Sequence, residues 1–463
     1  MPAAPHTHRM AWLDALRAVA ALFVVYAHLT HWLLSDVRAV TANWFNGGVA
    51  GVMLFFLVSG YIIPASLERH GDLRRFWASR AARLFPLYLA VGAAVIVLLP
   101  VAPYLKEHPA AGTIAHLTML AQFTGFDLVT PVMWTLSFEM AFYLLVAGLF
   151  ALRLHRASAT IAVIFAVTAV VTVPLTPRQM VTPVLPVVIA VVLVAGLAGL
   201  LSRRRTAVVA GALTLIALVL TLLLANQHPS HVWDGLLIPA VMFTGTAIYR
   251  AEHGQTPRRD AYVAAGVVGI ACLINWFGEL RSLNALTPQY MARSVITLLI
   301  IGGSFAIGFA CRYRRVPRSL AWIGLVSYSL YLIHVPVIQL TGPWLYAHVH
   351  GPAEIPATAA FVAGLLGLSW LTYRWIELPG QRLAGSRSVL RKVLPEQRSQ
   401  PGQGAGVAHL DHRDGDAEDR GHGVDAVVLG VPQHQDGPVL DGQRGERVHQ
   451  GEAQLRRAGR GGV

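Results

Sequence analysis

Residues 11–34, AWLDALRAVAALFVVYAHLTHWLL, form an apolar run long enough to cross a bilayer, yet this run carries four ionisable side chains: Asp14, Arg17, His28 and His31. At about 100° per residue, the step from Arg17 to His28 returns to within about 20° of the same helical face, and Asp14 lies three residues before Arg17 on that side. Ionisable groups are costly inside a membrane. Asp14, Arg17 and His28 thus form one polar stripe along the helix. Either these side chains have a function, or Asp14 and Arg17 form an ion pair and His28 is a packed, hydrogen-bonded residue.

The composition indicates a membrane protein. Of the 463 residues, 55% are hydrophobic and 13% are charged, and the mean hydropathy is +0.53, which is too apolar for one soluble globule. The formal net charge of +13 comes from short basic clusters between apolar runs, so we expect the lipid bilayer and no nucleic acid as a partner. Cys272 and Cys311 form no spaced pair, and neither a disulfide framework nor a metal site is expected.

Apolar runs of about spanning length recur over most of the chain. They predict an all-α fold, a polytopic transmembrane helix bundle of about 10–12 spans. The lower number allows for a short run at 235–249 and for the prolines within 158–201. The predicted spans are 11–34, 48–67, 84–102, 134–152, 158–175, 180–201, 207–225, 235–249, 261–278, 290–311, 320–340 and 356–376.

Basic residues fall in every second loop between these spans. Loops rich in Arg and Lys stay on the cytoplasmic side, so this alternation predicts a multi-pass protein of the cell membrane with both termini in the cytoplasm. The loops predicted to be cytoplasmic contain Arg69, Arg74, Arg75, Arg80 and Arg83; Arg153 and Arg156; Arg203, Arg204 and Arg205; Arg250, Arg258 and Arg259; and Arg312, Arg314, Arg315 and Arg318.

The character of the chain changes near residue 385. Apolar spans stop, and the remaining sequence is rich in Gly, His, Asp, Gln and Arg with almost no aromatic residues. Such a composition cannot bury a core. We therefore predict a membrane domain at 1–384 and a low-complexity, disordered tail at 385–463.

Two stretches near the N-terminal spans contain further candidate residues. GVMLFFLVSGYII at 51–63 places Ser59 beside Gly60, and small residues there let either a neighbouring helix or a ligand approach the backbone. FWASRAARLFPLYLA places Arg80 and Arg83 one turn apart at the mouth of the third span. Their guanidinium groups can clamp the phosphates of a cytoplasmic donor, bind lipid headgroups, or only fix the topology.

The fourth predicted span contains a carboxylate, Glu139. It lies in the stretch MWTLSFEMAFYLL at 133–145, together with Trp134. If the first span runs outward and the fourth inward, His28 and Glu139 lie at similar depth, and His334 in SYSLYLIHVPV falls near that level. A histidine held by a carboxylate is the minimal general base for deprotonating a hydroxyl. We therefore predict that these groups meet.

These motifs together resemble membrane-bound acyltransferase family 3, which transfers acyl groups to sugars, envelope glycans and lipids, and macrolide antibiotics. The resemblance covers about residues 11–383, and each motif is weak alone, whereas the ordered set is specific. The motifs are Arg17 with His28 after ten intervening residues, GVMLFFLVSGYII, RAARLFPLY, WTLSFEMAFYL, SYSLYLIHVPV and the closing WIELP at 375–379.

The resemblance implies an acyl-CoA donor, Arg17 and His28 as functional residues, and Glu139 in the place of the family's buried glutamate. Two positions depart from the family pattern. Met53 stands where many members have Asp, and Met140 stands where a second Glu often follows the first. Any role of those acidic groups is absent here or carried elsewhere.

We therefore expect an integral-membrane O-acyltransferase that moves an acyl group from acyl-CoA, acetyl-CoA included, to a hydroxyl of a sugar, envelope glycan or macrolide, with no bound cofactor. In this hypothesis His28 is the general base or acyl carrier, supported by Glu139. The competing hypothesis is a proton-coupled transporter or flippase, which would also suit many spans with buried His and Glu. The predicted catalytic residues are His28, Glu139 and Arg17, and the predicted substrate contacts are Arg80, Arg83, Ser59, Trp134 and His334.

Overall fold

The computed structural model describes residues 10–100, 102–172, 179–225, 228, 231–349 and 351–382. Within these ranges the fold is all-α, as the apolar periodicity predicts, and no strand occurs. The predicted tail at 385–463, and with it the domain boundary near 385, lies outside the described residues.

Fifteen α-helices make up the described fold. Their bounds are α1 Ala11–Trp32, α2 Ser35–Thr41, α3 Gly47–His70, α4 Leu73–Leu98, α5 Pro103–Glu107, α6 Pro109–Leu117, α7 Trp134–Ala151, α8 Ser158–Thr172, α9 Leu185–Leu200, α10 Arg205–Ala225, α11 Leu237–Glu252, α12 Arg258–Ser282, α13 Pro288–Ala310, α14 Arg318–His348 and α15 Glu354–Thr372.

Each of the twelve predicted spans contains one of these helices. Within the described ranges, nine helical segments are long and apolar enough to cross a membrane, and α8 and α9 are shorter apolar helices. The largest boundary difference is at α4, which begins at Leu73 rather than at 84. Asp72 caps it by accepting hydrogen bonds from the backbone N–H groups of Arg74 and Arg75, so the helix includes a basic turn that hydropathy does not detect.

The relative directions of the helices follow from their contacts. We call the end of the bundle at which α1 begins the inner end, and the opposite end the outer end. Gly324 of α14 lies against the Asp14 backbone and Gly342 against Leu33, so α1 and α14 run parallel. The Trp12 ring packs edge-on against Tyr61, near the end of α3, so α1 and α3 run antiparallel. These directions agree with the alternation of the predicted spans.

Burial differs strongly between helices. Almost all residues of α3 and α7 are buried, whereas few residues of α13 and α15 are buried and the rest are half-buried or exposed. Water-soluble proteins rarely expose so much apolar surface. We therefore infer that α13 and α15 face lipid and that α3 and α7 form the centre of the bundle. The side chains with chemistry described below surround this centre.

The segment between α4 and α7 holds a histidine with a structural role. His116 donates from Nδ1 to the Gly112 carbonyl at 2.8 Å, and its Nε2 accepts from the Val129 backbone N–H at 3.1 Å. Burial lowers the pKa of His116, so the ring remains neutral and can accept that second bond. This histidine therefore fixes a loop and is not a candidate for proton transfer.

Two glycines bring α3 and α11 into backbone contact. A Cβ atom at Gly60 would lie 1.8 Å from the Met242 carbonyl oxygen, and one at Gly245 would lie 2.2 Å from the Leu57 carbonyl oxygen. Thr246 closes the same contact by donating to the Gly60 carbonyl at 2.7 Å. Small residues permit such approaches in membrane bundles. Helix packing is thus one use of the Ser59–Gly60 pair.

Gly60→Ala should destabilise the bundle, because its methyl group overlaps the α11 backbone, which has no rotamer with which to move away. We expect the free energy of unfolding to fall by about 3 kcal/mol, at the upper end of overpacking costs. The thermal unfolding midpoint in detergent measures it. Gly364→Ala on α15 is the control, since no atom lies within 4 Å of its new methyl. Equal midpoints for the two variants would contradict the contact.

Candidate active site

Two histidines from parallel helices meet in the outer half of the bundle. His28 of α1 and His334 of α14 have ring centroids 4.9 Å apart at an interplanar angle of 74°, and the His334 Nε2 atom lies 3.4 Å from the His28 Nδ1 atom. His334 is fully buried, whereas His28 is only partly buried. His28 is therefore the member of the pair that a substrate can reach.

Hydrogen bonds to backbone carbonyls assign the protons of both rings. The Nδ1 atom of His334 lies 2.6 Å from the Tyr331 carbonyl oxygen, and the Nδ1 atom of His28 lies 3.1 Å from the Val24 carbonyl oxygen. A carbonyl only accepts, so in the neutral rings both Nδ1 atoms carry the hydrogen. The lone pair of His334 then faces the His28 N–H. In His28 the lone pair is at Nε2, which makes that atom the basic one.

Buried charged groups gather toward the inner end. Arg17 donates from Nη1 to the Asp14 Oδ1 atom at 2.9 Å, so the ion pair considered from the sequence is present, and both side chains are buried. Arg80 and Arg83 of α4 are also buried. Their exposure of 3% and 4% shows that neither acts as a mere surface marker of topology.

Glu139 lies among these arginines on α7. It is fully buried and accepts a hydrogen bond from the Tyr143 hydroxyl one turn along the same helix. Arg83, Arg80 and Arg17 interact with it electrostatically, the strongest contribution coming from Arg83. The structure thus bonds Glu139 to Tyr143, with the three arginines near enough to act on it electrostatically, and pairs His28 with His334. The prediction that Glu139 would be the partner of His28 is therefore wrong.

A second carboxylate reaches the same arginines from the closing WIELP motif. Glu377 is fully buried, accepts a hydrogen bond from the Ser329 hydroxyl at 3.0 Å, and interacts electrostatically with Arg83. Together these groups form what we call the arginine cluster, in which three cations face three carboxylates: Arg17, Arg80, Arg83, Asp14, Glu139 and Glu377.

The Tyr331 hydroxyl connects the helix that carries His334 to the start of α7. Tyr331, one turn before His334, donates to the Val132 carbonyl at 2.6 Å, and its oxygen lies 3.0 Å from the Thr135 hydroxyl. Glu139 follows Thr135 by one turn. The His pair and the arginine cluster are therefore consecutive layers between α1, α7 and α14.

Comparison with protein families identifies the chain. Residues 10–207 and 184–374 match the acyltransferase domain of acyltransferase family 3. The chain belongs to this family. Because the members transfer acyl groups, the protein is an enzyme of that class, and its apolar helices make it a multi-pass membrane acyltransferase. No solved structure matches it.

Named relatives of the acyltransferase are longer proteins. "Putative peptidoglycan O-acetyltransferase YrhL" of Bacillus subtilis (strain 168) is 24% identical over 431 residues, covering 84% of this chain and 57% of that protein. Peptidoglycan O-acetyltransferase OatA of Listeria monocytogenes serovar 1/2a is 24% identical over 400 residues, covering 79% of this chain and 55% of that protein. The acyltransferase thus spans a little over half the length of either relative.

Two predicted substrate contacts of the acyltransferase lie in packed surroundings. Ser59 is buried on α3, next to the glycine that touches α11. Trp134 is buried at the start of α7, where its indole stacks on His231 with centroids 3.7 Å apart. Their roles toward a substrate stay predictions, as do those of the other site residues. Among the described residues, no group of three or more His, Cys, Asp or Glu is placed to hold a metal ion.

Several polar residues of the acyltransferase were not singled out from the sequence. Tyr143 could have been found, because it follows Glu139 by four positions and so shares its helical face. Glu377 stood inside a recognised motif, but nothing local indicated that it would reach α4. His231, whose Nδ1 lies 3.3 Å from the Asp234 carboxylate, precedes α11 in a segment with no apolar pattern.

Glu139→Gln should destabilise the acyltransferase, because the arginine cluster then holds three cations against two carboxylates. The Tyr143 hydroxyl loses its charged acceptor, and a hydrogen bond to a charged group contributes about 1.5–3 kcal/mol. Thermal unfolding in detergent measures the effect. Glu107→Gln, an exposed glutamate on α5, provides the control for the loss of one charge. If both variants unfold at the wild-type temperature, Glu139 does not balance the cluster.

Proposed function

We propose that this acyltransferase O-acetylates a hydroxyl of an envelope glycan with acetyl-CoA as the donor. The observation that carries the proposal is the His28–His334 pair, in which a buried histidine orients a more accessible one. The names of the two long relatives support acetyl transfer to a peptidoglycan-like acceptor. No observation favours a macrolide acceptor or the transport alternative over this one.

In this proposal His28 is the general base. Its Nε2 atom takes the proton of the acceptor hydroxyl while that oxygen attacks the thioester carbonyl carbon. The tetrahedral intermediate then expels the CoA thiolate, which recovers the proton from His28. A transient acyl group on His28 would use the same nitrogen atom.

His334 acts as a positioning residue for His28. Its Nε2 lone pair faces the hydrogen on the His28 Nδ1 atom and shares it with the Val24 carbonyl, so both acceptors favour the tautomer with a basic Nε2 and steady the imidazolium that forms. From the sequence, we expected Glu139 to orient His28 and stabilise its imidazolium. In the revised proposal, Glu139 instead balances the charge of Arg80 and Arg83.

The layers suit a donor that enters from the inner end. With about 1.5 Å per residue, His28 lies roughly 16 Å farther along α1 than Arg17, a distance that the extended arm of CoA can bridge. We propose Arg80 and Arg83, with Arg17, as contacts of the CoA phosphates, since guanidinium groups bind phosphate oxygens in pairs. If the inner end is cytoplasmic, as the basic loops predict, cytoplasmic acetyl-CoA meets the cluster first.

The acceptor would then approach from the outer end. His28 lies seventeen residues after the first residue of α1, or about 26 Å along a membrane core about 30 Å thick. Its basic nitrogen is therefore near the outer surface, where an envelope glycan would be found. The acetyl group thus enters from one side and is accepted near the other.

His28→Ala should reduce acetyl transfer by a factor on the order of 10² or more, because the hydroxyl loses its base. Membranes containing the enzyme are incubated with labelled acetyl-CoA and a peptidoglycan-derived glycan, and the rate is normalised to the amount of folded protein. His334→Ala should give a smaller loss and shift the pH dependence of the rate, because the Val24 carbonyl still holds the tautomer while the imidazolium loses its second acceptor.

His31→Ala is the matched control, since His31 lies on the same helix one turn beyond His28. It should transfer at close to the wild-type rate. Near-normal transfer by His28→Ala, at matched expression, would show that the His pair only packs the helices. Equal losses in all three histidine variants would show that the outer end of α1 is merely sensitive to substitution.

A further inference from the structure

A groove runs along the lipid-facing side of the bundle, away from the candidate active site. Its volume is about 690 Å³, within the range of ligand pockets, about 300–1,000 Å³. α12 and α13 form its walls, and residues of α3 and α11, such as Leu57 and Val241, form its floor. None of the residues that we place in the catalytic machinery lines it.

The walls are built from small and apolar residues at helical spacing. α12 contributes Ala261, Ala265 and Gly269, and α13 contributes Gly302 and Ala306. These positions leave room that larger side chains would fill, and they repeat every three to five residues, so they form one continuous stripe on each helix.

The groove is long enough for an extended hydrocarbon chain. On α13 it runs from Leu298 to Phe309, or about 16 Å of helix, which matches the roughly 15 Å of one leaflet in a core about 30 Å thick. A lipid chain entering at one end can therefore lie along the groove without leaving its own leaflet. A compact polar ligand would leave most of the apolar wall uncovered.

The charged side chains that line the groove all lie at its inner end. Arg258 begins α12 and Arg312 follows α13, and both line the mouth with Glu252. Arg312 donates to a Glu252 oxygen at 2.6 Å, so that one carboxylate leaves a net positive charge between the two arginines. The mouth therefore matches an anionic headgroup.

Two tyrosines place this mouth at the membrane surface. Tyr262 and Tyr313 line it and are 74% and 84% exposed. Tyrosines with an exposed ring and hydroxyl are typical of the layer between hydrocarbon and water. The arginines thus lie at the depth of lipid phosphates, and the stripe below them lies at the depth of the acyl chains.

We propose that this groove binds one anionic phospholipid, with an acyl chain along the α12–α13 stripe and the phosphate between Arg258 and Arg312. This site is independent of the proposed acetyl transfer. It would attach α12 and α13, which expose much of their surface, to the central helices through a bound lipid.

Filling the groove tests the position of the lipid. The full-length protein is reconstituted in bilayers of phosphatidylglycerol and phosphatidylcholine, released in mild detergent, and weighed by native mass spectrometry. Gly302→Phe should lose the one phospholipid that the wild type retains. Gly303→Phe is the matched control, because neither glycine has an atom within 4 Å of a new Cβ and only Gly302 lines the groove. Ala306→Phe repeats the test if Gly302→Phe does not fold.

Removing one positive charge from the mouth tests whether the groove prefers an anionic headgroup. Arg258→Gln should lower the preference for phosphatidylglycerol over phosphatidylcholine by about fivefold, which corresponds to about 1 kcal/mol for one arginine at a charged surface. Arg259→Gln is the control, since Arg259 is its exposed neighbour and does not line the groove. It should keep the wild-type preference.

Three results would overturn the proposal. Equal lipid retention by the Gly302→Phe and Gly303→Phe variants would place the lipid elsewhere. Wild-type protein without preference for the anionic lipid would remove the role of the arginines. A protein dimer that disappears in Gly302→Phe, with no change in bound lipid, would mean that a second copy of the chain covers the groove.

Discussion

The arginine cluster is the interaction on which the rest of the structure depends. Three guanidinium groups from α1 and α4 lie in the interior of an apolar bundle, where isolated charges would cost several kcal/mol each, and carboxylates from three segments of the chain lie near them. Asp14 comes from α1, Glu139 from α7 and Glu377 from the end of the described chain. The cluster therefore joins the first and last parts of the described fold around α4.

This constraint also positions the histidine pair. With Asp14 and Arg17 held at the inner end, α1 has a fixed rotation, and its stripe presents His28 toward α14 eleven residues later. Backbone contact at Gly324 sets the distance between those helices, so that His334 can reach the His28 Nδ1 atom. In the proposed function, donor binding and acyl transfer thus occupy two depths of one polar column. The polar groups of the two layers interact with different partners: backbone carbonyls around the His pair, and carboxylates around the arginines.

Much of this column could be predicted from local sequence, including the pairs within one helix, whereas the pairing of His28 with His334 could not. Apolar runs predicted the helices and their alternation, and the cost of ionisable groups in a membrane identified Arg17, His28 and Glu139. Depth predicted that His28 and Glu139 would lie at one level, and this was wrong, because α7 begins beside Tyr331 and so places Glu139 farther inward than the His pair. Glu139 therefore meets Tyr143, one turn away, and His28 meets His334, 306 positions away. Long-range packing of this kind leaves no local signal.

The most direct test of the account is a structure of the enzyme with an acetyl-CoA analogue in which a methylene replaces the thioester sulfur. The account predicts phosphates at Arg80 and Arg83 and an acetyl carbonyl carbon within about 6 Å of the His28 Nε2 atom, the sum of one hydrogen bond and one near-attack contact. An acetyl group bound away from His28, with the phosphates at the α12–α13 groove instead, would contradict it.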